Sequence, residues 1–299
     1  MRSLVTGGKG FIGSHLVNKL VELGDEVTVI DYADLLDYPD PSKNVRYYET
    51  DLNDFTKILP IFDGMHRVFH MAADVSIPQC IKFPKECGSN NANTTLNVLE
   101  CCRIHNIKKI VFSSTSAVYK DKFTSHNYVR YNEWDQTLPL NIYSATKLYG
   151  ESLCKIYASL YKLEPTILRY FNVYGKNDRS SAYAAVVRRF LDCKSIGNPL
   201  TIFGDGLQTR DFVHVNDIVY ANLMVSEKEQ EHYGEIFNIG TGYATTIQEL
   251  AHMISNNVDY FPANEGELRH SCADIRKLYT EFNWYPTKTI NDYLKNLNG

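Results

Sequence analysis

Short runs rich in Val, Ile, Phe and Tyr recur through the first half of the chain, at residues 3–6, 26–31, 45–48, 67–70 and 109–113. Their length and β-branched content predict strands. Between them, residues 11–23 and 91–105 place apolar side chains at helical spacing, as with Leu96, Leu99 and Ile104. Gly24-Asp25 punctuates the end of the first helix. Strand–helix alternation of this kind predicts an α/β fold built on a doubly wound parallel sheet. A helix at 143–162 and a strand at 165–170 continue the pattern, which then loosens. Residues 175–182 are polar, 183–194 helical, and 198–210 turn-rich around Pro199, Gly204 and Gly206. Residues 235–239 again suit a strand, and Thr246-x-x-Glu249 forms a capping box for a helix reaching about residue 256. There is no internal repeat and no low-complexity linker. The predicted organisation is a main domain of residues 1–171 plus about 211–243, with a smaller α/β lobe of about 172–210 plus 244–299.

Composition narrows the options. At 299 residues and 44% apolar content the chain can bury one large domain and a smaller lobe. A net charge of −4 gives no whole-chain reason to bind nucleic acid or an anionic membrane. An anionic small ligand therefore needs local arginines or helix N-termini. No run approaches the ~20 apolar residues that span a bilayer. Met1-Arg2-Ser3-Leu4-Val5-Thr6-Gly7 leads straight into a strand and lacks the pattern of a secretory signal. A cytoplasmic location is expected. The seven cysteines (80, 87, 101, 102, 154, 193 and 272) are odd in number and form no CxxC pair. Buried reduced thiols are expected, with no bound metal.

Two segments carry chemistry. Thr6-Gly7-Gly8-Lys9-Gly10-Phe11-Ile12-Gly13 joins the first strand to the first helix. Glycines at 7, 10 and 13 allow a tight turn, close approach of a pyrophosphate, and packing of helix on strand. Asp31 closes the second strand, placed to accept hydrogen bonds from a ribose diol. Its carboxylate repels a 2′-phosphate, and no arginine lies between residues 14 and 45 to receive one, so NAD is favoured over NADP. The second segment is Tyr143-Ser144-Ala145-Thr146-Lys147, which puts a phenol and an ammonium on one helix face. The ammonium favours phenolate, drawing the tyrosine below its ordinary pKa of about 10 towards general-base range. Phe112-Ser113-Ser114-Thr115-Ser116-Ala117-Val118-Tyr119 places hydroxyls at the carboxyl edge of the sheet, where ligands bind in doubly wound folds. For Ser113 and Ser116 the expected role is to cap the following turn.

At these residues the chain resembles the extended short-chain dehydrogenase/reductases, in particular the NAD-dependent epimerase/dehydratase family. TGGKGFIGSHL (6–16), HMAA (70–73), SSTSAVY (113–119), YSATK (143–147), RYFNVYG (169–175), FGDGLQTRDFVHVND (203–217) and GELRHSCAD (266–274) follow family order. The resemblance implies a Rossmann domain holding NAD and a lobe binding a nucleotide sugar. Tyr143 is then the base, Lys147 its activator and nicotinamide-ribose ligand, and Thr115 a hydroxyl on the reacting sugar oxygen. Cofactor contacts implied are Gly7, Gly10, Phe11, Ile12, Gly13, Asp31, Asp51, Leu52, Met71, Ala72, Ala73, Asn91, Ser113, Tyr143, Lys147, Tyr170 and Phe171. Substrate contacts implied are Ser76, Thr115, Tyr143, Asn172, Thr201, Phe203, Arg210, Arg269 and Ser271. Alternatively, Asn172 satisfies backbone groups, Arg210 pairs with a neighbouring acid, and Phe203 is ordinary core. The chain departs from the pattern at Asn264, where the family often has arginine, a charge Arg269 is a candidate to supply. It departs again at Tyr119-Lys120, replacing Tyr-Gly.

The same resemblance separates reactions. The 4,6-dehydratases carry an acid beside the catalytic threonine, where this chain has Ser116. Decarboxylases place a glutamate at the position of Ala117, and reductive members favour NADPH. This leaves 4-epimerisation of a UDP-hexose, of the UDP-GlcNAc/UDP-GalNAc pair, the UDP-Glc/UDP-Gal pair, or both. Ser271 stands where a tyrosine restricts relatives to plain hexoses, and SSAYAAVVRRF (180–190) resembles the N-acetylhexosamine users. A UDP-uronate 4-epimerase or decarboxylase, with Arg179 meeting the carboxylate, and a non-catalytic NAD-binding regulator stay open. The helices at 91–105 and 143–162 carry more apolar surface than one sheet face needs, including Leu148, Leu153, Ile156 and Leu160, and the resemblance implies that they pair two copies through a four-helix bundle.

Overall fold

The strand-forming runs become β1 (Arg2–Thr6), β2 (Glu26–Asp31), β3 (Val45–Glu49), β4 (Arg67–His70), β5 (Lys109–Thr115) and β6 (Glu164–Tyr170). Later strands are β7 (Asn172–Tyr174), β8 (Leu200–Phe203), β9 (Thr209–His214), β10 (Glu235–Ile239), β11 (Ala244–Thr246) and β12 (Val258–Phe261). The helices are α1 (Phe11–Glu22), α2 (Phe55–Ile58), α3 (Ile77–Lys82), α4 (Pro84–Ile104), α5 (Ile142–Tyr161), α6 (Val186–Ser195), α7 (Val215–Glu227), α8 (Ile247–Ile254), α9 (Arg276–Phe282) and α10 (Ile290–Leu297). This computed structural model describes residues 1–32, 44–122, 130–176, 186–227 and 233–297. Two compact units emerge. The first comprises Met1–Ser114, Ile142–Leu168 and Val219–Ile236; the second comprises Thr115–Asn141, Arg169–Ile218 and Phe237–Gly299.

The first unit is organised by a seven-stranded parallel sheet of order β10-β6-β5-β4-β1-β2-β3. The chain runs outward from β1 to β3 and then returns to β4 on the other side of β1. That reversal is where doubly wound sheets open a ligand crevice at the strands' carboxyl ends. Thr6 lies level with Ile30 on β2 and with His70 on β4. Leu4, Val68, Ile110 and Phe112 from the strands share a core with Val98 and Leu99 of α4 and Leu153 and Cys154 of α5. Arg67, 2% exposed, donates to Asp25 at 2.8 Å and to Ser3 at 2.8 Å, so the charge buried beneath the sheet is paired and bonded. α4 starts at Pro84, seven residues before the periodicity at 91 suggested. Proline suits a first helical turn, and Ser89, Asn90 and Asn91 hide the apolar signal.

The cysteine expectation is corrected at the α3–α4 junction. Cys80 and Cys87 form a disulfide, with Cα atoms 5.3 Å apart, while Cys101, Cys102, Cys154, Cys193 and Cys272 are free. The chain breaks at Phe83 between the two helices, folding a seven-residue separation into bonding distance.

In the second unit, β11, β9 and β7 form a three-stranded sheet and β12 pairs with β8. Residues 198–210, expected as turns, therefore contain β8 and the start of β9. Val187 and Phe190 of α6, Leu250 and Ile254 of α8 and Leu294 of α10 pack on Leu200, Ile202 and Phe212. The capping box at Thr246 and Glu249 forms in both directions. Asp211, fully buried, accepts from the Thr241 hydroxyl and from the amides of Thr241, Gly242 and Ala273. Among the described residues no helix is long and apolar enough to cross a membrane, and no cluster of three or more His, Cys, Asp or Glu could hold a metal.

Candidate active site

The glycine turn in the first unit is set by close packing. Gly7 has φ +68°, and a Cβ there would lie 2.7 Å from the Ala72 amide nitrogen. A Cβ at Gly13 would lie 2.1 Å from the Gly7 carbonyl oxygen. α1 begins directly afterwards with Gly10 as its N-cap, so no side chain caps it, and its first turn holds no acid. The helix cannot satisfy its own first amides, and this N-terminus fits a pyrophosphate. At the end of β2, Asp31 accepts from the Lys9 amide at 2.9 Å, which holds its carboxylate beside the turn. Met71 and Ala72 donate backbone amides to Thr6 at 3.1 and 3.3 Å, with Ala73 following half-buried. Asp51 is exposed and turned onto Asn53, while Leu52 is 5% exposed and belongs to the core.

On α5, Tyr143 is half-buried and Lys147 is 4% exposed. The Lys147 ammonium donates to the Ser113 carbonyl at 2.8 Å and stands 5.0 Å above the Phe112 ring. Burial holds its pKa down to about 8. Ser113 does not cap a turn: its hydroxyl donates to the His70 carbonyl at 2.9 Å, tying β5 to β4. His70 sits between the hydroxyls of Thr6 (2.8 Å) and Thr95 (3.1 Å). Burial, then the Lys147 charge, lowers its pKa to about 3, so the ring is neutral at pH 7. Asn91, 3% exposed, exchanges hydrogen bonds with the Asp74 backbone and donates to Thr146 at 3.2 Å. Ser76 caps α3 by accepting from Gln79. Sequence reasoning missed Thr6, Thr95 and Thr146 as partners. The available signal was polar residues at positions that periodicity marks as buried.

In the second unit, the Thr115 hydroxyl accepts from the Ala117 amide at 3.2 Å and opens a 3-10 turn over Ser116–Val118. Residues 115–118 contain no carboxylate. Tyr170 and Phe171 are buried, while Asn172 and Thr201 are half-buried on β7 and β8. Phe203 is half-buried, its ring centre 6.1 Å from that of Phe261, with the Arg189 guanidinium 5.9 Å from it. Arg210, 9% exposed, pairs with Glu267 at 2.9 Å. Burial lowers its pKa and Glu267 opposes this; a guanidinium keeps its charge regardless. Asn264, in the family's arginine position, donates to Glu267 at 3.1 Å. Arg269 makes a two-pronged pair with Asp205 at 2.8 and 2.7 Å, holding that carboxylate's pKa down to about 2. Ser271 is 3% exposed, and its hydroxyl has no hydrogen-bond partner among the described residues. Arg179 and residues 180–185 lie outside the described residues.

A glycine turn at the sheet's reversal point, with the buried lysine of a Tyr-x-x-x-Lys helix bonded to the carboxyl end of β5, defines a dinucleotide-dependent enzyme. Comparison with known proteins resolves the class. Residues 3–240 match the model of the NAD dependent epimerase/dehydratase family. The chain is 35% identical over 300 residues to a protein of Methanocaldococcus jannaschii provisionally named UDP-glucose 4-epimerase, covering 98% of this chain and 95% of that one. It superposes with a TM-score of 0.91 on the UDP-glucose 4-epimerase of Thermotoga maritima solved with UDP-glucose, at 33% identity, covering 99% and 96% of the two chains. The UDP-N-acetylglucosamine 4-epimerase of Methanobrevibacter ruminantium, in complex with UDP-N-acetylmuramic acid, gives a TM-score of 0.89 at 33% identity, covering 98% and 96%. The chain belongs to the NAD-dependent epimerase/dehydratase family. It is an NAD-dependent epimerase, an isomerase whose cofactor is NAD.

Proposed function

We propose that this chain interconverts UDP-hexoses at C4, acting on UDP-N-acetylglucosamine and UDP-N-acetylgalactosamine and on UDP-glucose and UDP-galactose. The observation that carries this reading is buried Lys147, its ammonium fixed on the Ser113 carbonyl one helical turn from Tyr143. NAD, when bound, would supply reversible hydride acceptance at C4 of the sugar. Tyr143 takes the proton of the 4-hydroxyl and later gives it back. Lys147 favours its phenolate form and bonds the nicotinamide ribose, and Thr115 hydrogen-bonds the reacting oxygen. Gly7, Gly10, Phe11, Ile12 and Gly13 receive the pyrophosphate, Asp31 the ribose diol, and Asn172 and Arg210 the substrate diphosphate. Residues 1–171 with about 211–243 thus serve NAD, and about 172–210 with 244–299 serve the sugar nucleotide.

The absence of a carboxylate over residues 115–118 supports epimerisation over dehydration and decarboxylation. The family relatives act on more than one sugar by name, and Ser271 supports the acetylated pair. We further propose a cytoplasmic homodimer. Ile156 and Leu160 of α5 are 47% and 65% exposed, and Leu96 and Ile104 of α4 are 38% and 42% exposed. Leu153, expected on that surface, is instead 8% exposed in its own core. The test is incubation with a panel of UDP-sugars followed by sugar analysis. Conversion within the hexose or N-acetylhexosamine pairs is expected. NADH formation on UDP-glucuronate would move the assignment to the uronate class, and no turnover of any sugar would favour a regulator.

A further inference from the structure

α5 meets β5 at three consecutive strand residues, and each contact is of a different kind. At Phe112 the helix presents Gly150, where a Cβ would lie 2.4 Å from the ring, so backbone rests directly on aromatic. At Ser113 the strand carbonyl receives the Lys147 ammonium at 2.8 Å. At Ser114 the hydroxyl donates to the carboxylate of Glu151. Glu151 is 2% exposed and Ser114 3% exposed. Tyr143, Lys147 and Glu151 are spaced four apart and share one helix face.

A buried carboxylate is a costly way to hold a helix against a strand. Removing it from water is unfavourable, and an apolar residue of similar volume usually serves stability as well or better. What a hydrogen-bonded carboxylate adds is direction. The apolar contacts beneath α5 tolerate small slides along the strand, but the Ser114–Glu151 bond does not. A slip of one strand residue, about 3.3 Å, breaks it and the Lys147–Ser113 bond together. Misplacing a reacting group by about 1 Å is enough to cost on the order of 100-fold in rate.

We propose that Glu151 is a positioning residue. Through Ser114 it fixes α5 lengthwise on β5, so that the phenol of Tyr143 and the ammonium of Lys147 are held in register with the strand end. This rests on the assignment of Tyr143 and Lys147 made above. It is the bond, not the charge, that performs the task.

The test compares Glu151→Leu, Glu151→Gln, Ser114→Ala and the double variant Ser114→Ala/Glu151→Leu, each isolated with NAD. Glu151→Leu and Ser114→Ala should each lower kcat by about 10- to 100-fold, with KM for the UDP-sugar changed less than about threefold. NAD content should stay at the wild-type level, and so should the melting temperature of Glu151→Leu, whereas Ser114→Ala alone should melt lower because it takes the donor from a buried carboxylate. Glu151→Gln keeps an acceptor oxygen for Ser114 and should stay within a few-fold of wild type. The double variant should be no slower than the slower single, because each substitution removes the Ser114–Glu151 bond. Additive losses, or a glutamine variant as slow as the leucine one, would overturn the proposal. A readout independent of turnover is the Tyr143 phenol titration, isolated as the ultraviolet difference between each protein and its Tyr143→Phe counterpart. It should move together in Glu151→Leu and Ser114→Ala and stay put in Glu151→Gln. An unmoved phenol overturns the positioning role even in a protein that converts no sugar, whereas a moved phenol without wild-type conversion overturns only the functional assignment.

Discussion

Replacing Lys147 with methionine should make the NAD-free protein more stable and the enzyme inactive. The ammonium is 4% exposed, and burial lowers its pKa from the ordinary 10.5 to about 8. At about 1.36 kcal/mol per pH unit, holding the charged form inside the fold costs roughly 3 kcal/mol at pH 7. Methionine is of similar length and carries no charge, so it relieves that cost. It also gives up the bond to the Ser113 carbonyl, worth about 1 kcal/mol. The net expectation is a gain of about 2 kcal/mol at pH 7. The sign with pH follows from the folded state binding this proton less tightly than the unfolded chain. The penalty is complete below about pH 8 and disappears as pH rises to the ordinary value near 10.5. Wild type should therefore gain on Lys147→Met across that interval. Urea unfolding of both proteins at pH 7, 8.5 and 10 measures the gap. A gap that does not change with pH, or a variant less stable at pH 7, would refute the account of Lys147 as a charge held at a cost.

Three other outcomes follow from the site and its surroundings. Gly13→Ala places a β-carbon about where the Gly7 carbonyl oxygen stands, so the protein should lose bound NAD, read from its absorbance after acid extraction; full occupancy would show that the turn relaxes. Denatured, unreduced protein should expose five thiols to Ellman's reagent, and seven would remove the Cys80–Cys87 bond. Ser271→Tyr fills the space around a buried hydroxyl, so it should abolish conversion of the N-acetylated sugars and spare UDP-glucose and UDP-galactose; unchanged N-acetyl activity would dismiss Ser271 as the gatekeeper.

The sheet was legible because its strands are short, apolar and β-branched, which leaves periodicity little to decide. Residues 26–31 and 67–70 were read with both ends correct. Legibility failed where buried faces are polar. The start of α4 at Pro84 went unread because residues 84–90 hold only Cys87 as a buried apolar position. Further along, Asn91, Thr94 and Thr95 face inward, all under 5% exposed, where a pattern search reads such residues as surface. They are buried because they bond to Asp74, Thr146 and His70 or to the helix's own carbonyls. The β8–β9 stretch failed for another reason. Gly204 and Gly206 have positive φ and make real turns, but the strands on either side are four and six residues long, too short to stand out from them.

The same limit applies to the arginines. One sequence can show that Arg210 and Arg269 exist near a family motif, but not what each already holds. Arg269 grips Asp205 with two bonds, and Arg210 pairs with Glu267, which Asn264 also touches. Asn264 cannot replace an arginine's charge; in this geometry it orients the acid that pairs with the remaining one. On the proposed reading a substrate diphosphate must therefore compete with Glu267 for the guanidinium of Arg210. The affinity of that site is then set by a difference between two anions. Counting cations along the chain could not have revealed it.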